Sequence, residues 1–148
     1  MESIRESTFN NCTTLESVSL PSTLKSIATF AFTSCTSLKN VVIPNNVKSI
    51  GEHAFGTCSN LESVTIGSGL ETIDGKWVFA NCGKLTTVTI DSQFVVDMLT
   101  SSTDAGKLIS NAKTINVKQG LNPTSYLTGL SSGGTKVIGT TTYNVYTK

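Results

Sequence analysis

The sequence predicts a β-rich, right-handed solenoid of short stacked parallel strands, with turns and short helical or 3₁₀ segments between them and a cap at its C-terminal end. Three observations predict it. First, a seven-residue phrase recurs four times: FNNCTTL at 9–15, FTSCTSL at 32–38, FGTCSNL at 55–61 and FANCGKL at 79–85. Second, the phrase sits inside a longer unit of constant length. Phe9, Phe32, Phe55 and Phe79 are spaced 23, 23 and 24, and Cys12, Cys35, Cys58 and Cys82 keep the same spacing. A fixed period in the twenties is the mark of a coiled stack. Third, each unit carries about seven apolar side chains, too few for a core of its own, so neighbouring units must bury one another.

The first element of each unit is a strand. In L-x-x-V-x-I, Val18, Val41, Val64 and Val88 stand two residues before Leu20, Ile43, Ile66 and Ile90. That is the strand period, so both side chains point inward and successive copies pair in parallel. A loop follows, holding Pro21, Pro44, Gly67 and Asp91 at one position. LKSI at 24–27 and VKSI at 47–50 predict a second short strand on the opposite wall. Gly51 and EHAFGTC at 52–58 predict a tight turn with one helical or 3₁₀ turn. The single inserted residue lies in IDGKWVF at 73–79, against IGEHAF at 50–55.

The stretch SLKNVVIPNNVKSIGEHAFGTC at 37–58 resembles the BspA-like leucine-rich repeat, a bacterial and protozoan class with a 23-residue period. The resemblance runs over roughly 4–90. Beyond it, NAKTINV at 111–117 predicts a degenerate fifth strand with Ile115 and Val117 inward. The division expected is therefore a leucine-rich repeat solenoid over 1–117 and a C-terminal cap, or the start of a further module, over 118–148. In the connecting and terminal segments, 104–112 reads as a short helix with Thr103 as N-cap, SSGGT at 131–135 as a link or turn, and 136–148 as two short strands around Gly139–Thr142. No cap precedes Ile4, so the chain reads as a piece of a longer array.

Composition narrows the function. The net charge is +1 and 14% of residues are charged, which gives none of the clustered Lys and Arg that a nucleic-acid groove needs. No apolar run approaches the ~20 residues of a membrane-spanning helix. The cysteines lie in a line along the axis and do not converge on a metal; parallel Cβ vectors also disfavour disulfides between rungs. They read as a ladder of buried thiols, and no cofactor is called for. His53 is the only histidine, read as a solvent-facing turn residue, and Trp77 fills the inserted bulge or stands out as a contact aromatic. Glu16, Lys39, Glu62 and Lys84 alternate in sign down one column, which reads as a register device.

One surface repeats a design. The outward positions of the first strand read Ser17, Asn40, Ser63, Thr87 and Thr114 in one column, and Ser19, Val42, Thr65, Thr89 and Asn116 in the next. Small uncharged side chains of this kind suit contact with a protein or a glycan, and they hold no nucleophile beside a base. The candidate binding residues are Ser17, Asn40, Val42, Ser63, Thr65, Thr87 and Thr89. Exposed strands carry Ser and Thr without any ligand too, so a spacer or stalk presenting a neighbouring domain stands as the alternative. An enzyme centred on 92–148 is disfavoured, because that segment holds Asp97, Asp104 and three tyrosines but no His or Cys. The resemblance itself implies a non-enzymatic, cell-surface or secreted protein, with host or matrix proteins as partners.

Overall fold

The structure, a computed structural model, describes residues 1–75, 77–98, 112–122, 127 and 130–147. Two sheets form facing walls. The smaller holds four parallel strands in sequence order, β1 (Ser3–Ile4), β2 (Ser26–Ile27), β4 (Ser49–Gly51) and β6 (Thr72–Asp74). The larger begins with β3 (Asn40–Ile43), β5 (Ser63–Ile66), β7 (Thr87–Ile90) and β8 (Thr114–Lys118), also parallel. Ser17 joins this sheet from the first coil through a single bridge to Asn40. The register follows the repeat: Val41 pairs with Val64, Val64 with Val88 and Val88 with Ile115. Inward residues are sealed, with Val64, Ile66, Val88 and Ile90 each no more than 1% exposed. The degenerate fifth strand expected over 111–117 is β8, with Ile115 and Val117 buried.

The third wall is made of turns, and here the expected 3₁₀ turn does not form. Two residues per coil take a left-handed backbone: Ser7 and Asn11, Phe30 and Ser34, His53 and Thr57, Trp77 and Asn81. Such residues break any continuing helix. They free alternate N–H groups to reach the following coil, as Phe32 N does to Ala54 O at 2.7 Å and Phe55 N to Val78 O at 2.9 Å. The turn wall therefore has its own inter-coil ladder, and backbone polar groups are satisfied without regular secondary structure.

This ladder explains the repeated phrase. Phe9, Phe32, Phe55 and Phe79 stack ring on ring at 5.0, 5.1 and 5.5 Å. The carbonyls of Phe9, Phe32 and Phe55 point along the axis at the next coil's thiol. Cys35 donates to Phe9 O at 3.2 Å, Cys58 to Phe32 O at 3.2 Å and Cys82 to Phe55 O at 3.1 Å. Cysteine fits because the site wants a small apolar side chain with one weak donor. The spacing shows the ladder; it does not show what the sulfurs touch.

Beyond the repeats the chain direction changes. Ser92 caps α1 (Gln93–Met98), its Oγ accepting from Val95 N, and Val95 and Val96 are fully buried in the common core. The sequence reading missed this helix; the one it expected over 104–112 lies outside the described residues, apart from Ala112. A hairpin then extends the larger sheet. β10 (Thr141–Thr147) pairs antiparallel with β8 and with β9 (Ser131–Ile138), which forms the edge. The expected pair of strands is present, but SSGGT at 131–135 is part of β9 and not a link. A Cβ on Gly133 would come within 2.8 Å of Val145, and Gly134 has φ +79° beside a register shift in β10. The glycines permit a bulge within the strand, and the sequence alone reads them as a break.

Candidate functional site

The outward sheet face changes along the stack. In its second column Val42 is 62% exposed, Thr65 is half-buried, Thr89 is 5% exposed and Asn116 is 1% exposed. In the first, Ser17 and Asn40 are exposed and Ser63 and Thr87 half-buried. The face is open over the early coils and closed over the late ones. Of the seven candidate residues, Thr89 is thus withdrawn from solvent; its hydroxyl accepts from Asn116 Nδ2 at 3.1 Å. Ser63 donates to Asn40 Oδ1 at 2.6 Å, which fixes both side chains across the strands.

A groove of about 670 Å³ runs across the open part. Val42 and Thr65 line it with Val18, Ser19 and Pro44, and Asp91 is its single charged residue. Asp91 stands where earlier coils have Pro21, Pro44 and Gly67, and its carboxylate acts on Tyr143 of the hairpin. Burial, and then the Asp91 carboxylate, push the Tyr143 phenol up to about 12. The sequence places Asp91 only as the loop residue equivalent to Pro21, Pro44 and Gly67, and nothing in it points to Tyr143.

Several other polar groups pair with one another from coil to coil. Lys39 pairs with Glu16 at 3.3 Å, as the alternating column requires, but Lys84 reaches Asn60 Oδ1 at 2.7 Å and not Glu62. Lys48 pairs with Glu71 in the neighbouring column. All four cysteines stand outside any disulfide. Burial pushes the Cys35 thiol up to about 11; Cys58 is pushed up by its hydrogen bond with Cys82 and then by burial. Thiols held protonated in this way are poor nucleophiles and poor ligands. Among the described residues no cluster of three His, Cys, Asp or Glu could hold a metal, and no helix is long and apolar enough to cross a membrane. His53 is not simply solvent-facing: it is half-buried and stacks on Phe30 at 5.6 Å.

A family model described as the BspA type leucine-rich repeat region matches residues 1–100 in six copies. The chain belongs to this family. Two solved structures agree on the fold. A leucine-rich repeat protein of T. pallidum is 23% identical at a TM-score of 0.52, covering 60% of this chain and 52% of its own. A leucine-rich repeat protein from Bacteroides ovatus ATCC 8483 is 27% identical at a TM-score of 0.52, covering 62% of this chain and 31% of its own. The chain thus spans about half of one relative and a third of the other. No curated protein matches it. As a BspA-type repeat protein it is a stacked scaffold, for which a general role in protein interaction is the reading the family supports.

Proposed function

We propose that this BspA-type chain is a non-enzymatic binding scaffold that contacts a protein ligand through the open part of its sheet face, in adhesion at a cell surface or after secretion. In this reading residues 1–117 are the solenoid, 118–148 close its C-terminal end, and the ligand is a host or matrix protein, or a glycan carried on one. The observation that carries it is Val42, an aliphatic side chain 62% exposed in a groove that Val18 and Pro44 line together with Ser19, Asn45 and Thr65. An exposed apolar side chain in a mixed apolar and polar groove is the pattern of a contact surface. Ser63 and Thr65 lie beside it on β5, which is flanked on both sides, and Asn40 lies on β3, which pairs with β5 and meets Ser17 through a single bridge.

The test is solid-phase binding of the purified chain to immobilised extracellular-matrix proteins and to a glycan array. Saturable binding to one of them is expected, falling at least about tenfold in the Asn40→Lys/Thr65→Lys double variant while the melting temperature holds. Binding that the double variant leaves untouched removes the sheet face from the site. No binding to any of them favours the spacer reading, in which the uninterrupted stack serves to hold a neighbouring domain at a distance.

A further inference from the structure

The outermost strand of the larger sheet has an open side. β9 has β10 on one side and, among the described residues, no neighbour on the other. All eight of its residues are exposed, Val137 at 65% and Ile138 at 40%. Which backbone groups face outward follows from the turn. Ile138 pairs with Thr141 across a two-residue turn that Gly139 opens at φ 60°. The pair closing such a turn exchanges its backbone hydrogen bonds, and bonded and unbonded pairs then alternate. Ile138 and Lys136 therefore bond to β10, while Thr135 and Val137 turn their N–H and C=O to the open side. Before Thr135 the bulge at Gly133 and Gly134 bends the edge and interrupts the run. The usable edge is thus the four residues from Thr135 to Ile138.

Lys136 decides what can pair there. It is the only charged residue of β9, its direct partner in β10 is the neutral Tyr143, and among the described residues it makes no ion pair. Around Tyr143, Lys118 and Asp91 have opposite signs, so the charge at the edge is that of Lys136. A second copy of the chain is a poor partner. The antiparallel register that bonds both outward residues in full sets Thr135 of one copy against Val137 of the other. Lys136 then faces its own equivalent in an unbonded pair, where Cα atoms come within about 4.5 Å and like charges repel. Lysine on an edge strand guards against self-pairing in this way. The same charge attracts a strand that carries the opposite sign at that point.

We infer that the open side of β9 is a second interaction surface, separate from the sheet face, and that it takes an extended antiparallel segment of another protein with a carboxylate opposite Lys136. In strand addition the backbone bonds supply affinity and the alternating side chains supply selectivity. Val137 and Ile138 point to opposite faces of the sheet, so an aliphatic residue opposite each covers one exposed apolar side chain per face. A hydroxyl residue opposite Thr135 completes the match. Read from its N-terminus, the segment is aliphatic, aliphatic, acidic, then Thr or Ser.

The probe is a dye-labelled Gly-Ile-Val-Glu-Thr-Gly-amide peptide, followed by fluorescence anisotropy at low ionic strength. Saturable binding is expected. The analogue with Lys in place of Glu is expected to bind at least about fivefold more weakly, since an attraction becomes a repulsion. Lys136→Glu is expected to reverse that order. Val137→Pro removes one outward N–H without touching the β10 ladder, as an edge position allows, and is expected to abolish binding of the Glu peptide. The reversal rests on Lys136→Glu alone, so it stands as a test even where Val137→Pro disturbs the hairpin. Asn40→Lys/Thr65→Lys is expected to leave the affinity unchanged, which keeps this result independent of the sheet-face ligand. No saturable binding, equal affinity for the two peptides, full binding by Val137→Pro, or failure of Lys136→Glu to reverse their order would each overturn the inference. So would a wild-type mass near twice that of one chain in light scattering that Val137→Pro returns to a single chain, because the edge would then belong to a second copy.

Discussion

β5 and β9 are strands of one sheet, yet they are held in opposite ways. β5 has a parallel neighbour on each side and turns two side chains, Val64 and Ile66, into the core at 1% exposure. β9 has one neighbour, runs antiparallel to it and is exposed at all eight residues. In a stack, stability resides in the interfaces between successive units, so a unit with two interfaces is held far more firmly than one with a single interface. β5 is fixed by burial on top of its backbone ladder; β9 depends on the ladder alone. The difference sets where substitutions matter.

The largest effect expected comes from the middle of the stack. Cys58 lies at 0% exposure, donating to Phe32 O. Cys58→Asp places an unpaired carboxylate there and is expected to cost more than about 4 kcal/mol, in the range reserved for buried unpaired charge. Val137→Asp, on β9 at 65% exposure, is expected to change stability by less than about 0.5 kcal/mol. Urea unfolding followed by circular dichroism checks both. Similar losses from the two would mean that the hairpin and the coils share one interface, and the comparison would fail.

Alkaline pH gives the next effect and separates the two regions by onset. Cys35 is raised from 9.0 to about 11 in the stack, and Tyr143 from 10.0 to about 12 in the hairpin. In each case the folded chain holds the proton more tightly than the unfolded chain. The stability this contributes is complete below the ordinary value and is lost as pH rises through the shifted one. The stack is expected to weaken from pH 9 towards 11, and the Asp91–Tyr143 tie from pH 10 towards 12. Unfolding midpoints measured from pH 8 to 12 should fall in that order, and Cys35→Ala should make the earlier limb shallower, since the raised Cys58 also contributes to it. A flat profile to pH 12 would contradict the burial of both groups.

The same contrast governs how much the sequence reveals. Where each residue has a copy one coil away, the period places it: the inward Val and Ile pairs, the Cys column, the second short strand and β8 all sit where the repeat puts them. Contacts that depend on direction within a rung were not legible. The Phe carbonyl beneath each thiol, the left-handed turn residues and Lys84 choosing Asn60 over Glu62 are settled by backbone geometry, to which a spacing rule is blind. Beyond Ile90, β8 apart, the repeat offers no template. SSGGT then reads as a break, since the partner that makes it a strand is β10, and QFVVDM passes unnoticed as a six-residue helix. The candidate face was half legible. Its columns are correct, but the burial of Thr89 and Asn116 is not something a spacing rule announces.

The smallest effect tests whether sign alternation is part of the stack's design. Lys39 sits between Glu16 and Glu62 in one column and pairs with Glu16 across the coil boundary. Both partners are more than half exposed, so the pair contributes little by itself. Lys39→Glu does more than delete it, because three carboxylates then follow one another at adjacent rungs. Like charges directly opposite on paired strands cost about as much as opposite charges gain, ~0.2–1 kcal/mol. The variant is expected to lose about 1 kcal/mol at low ionic strength. Most of this should return in 1 M salt, where the screening length shortens to about 3 Å. Lys136→Glu makes the same swap on β9, where the directly paired residue is the neutral Tyr143. It is expected to leave the unfolding midpoint unmoved at either salt concentration. A salt-dependent loss in Lys39→Glu alone would show charge order acting only where coils repeat. An equal loss in both variants would trace the effect to the net charge of the chain and not to its register.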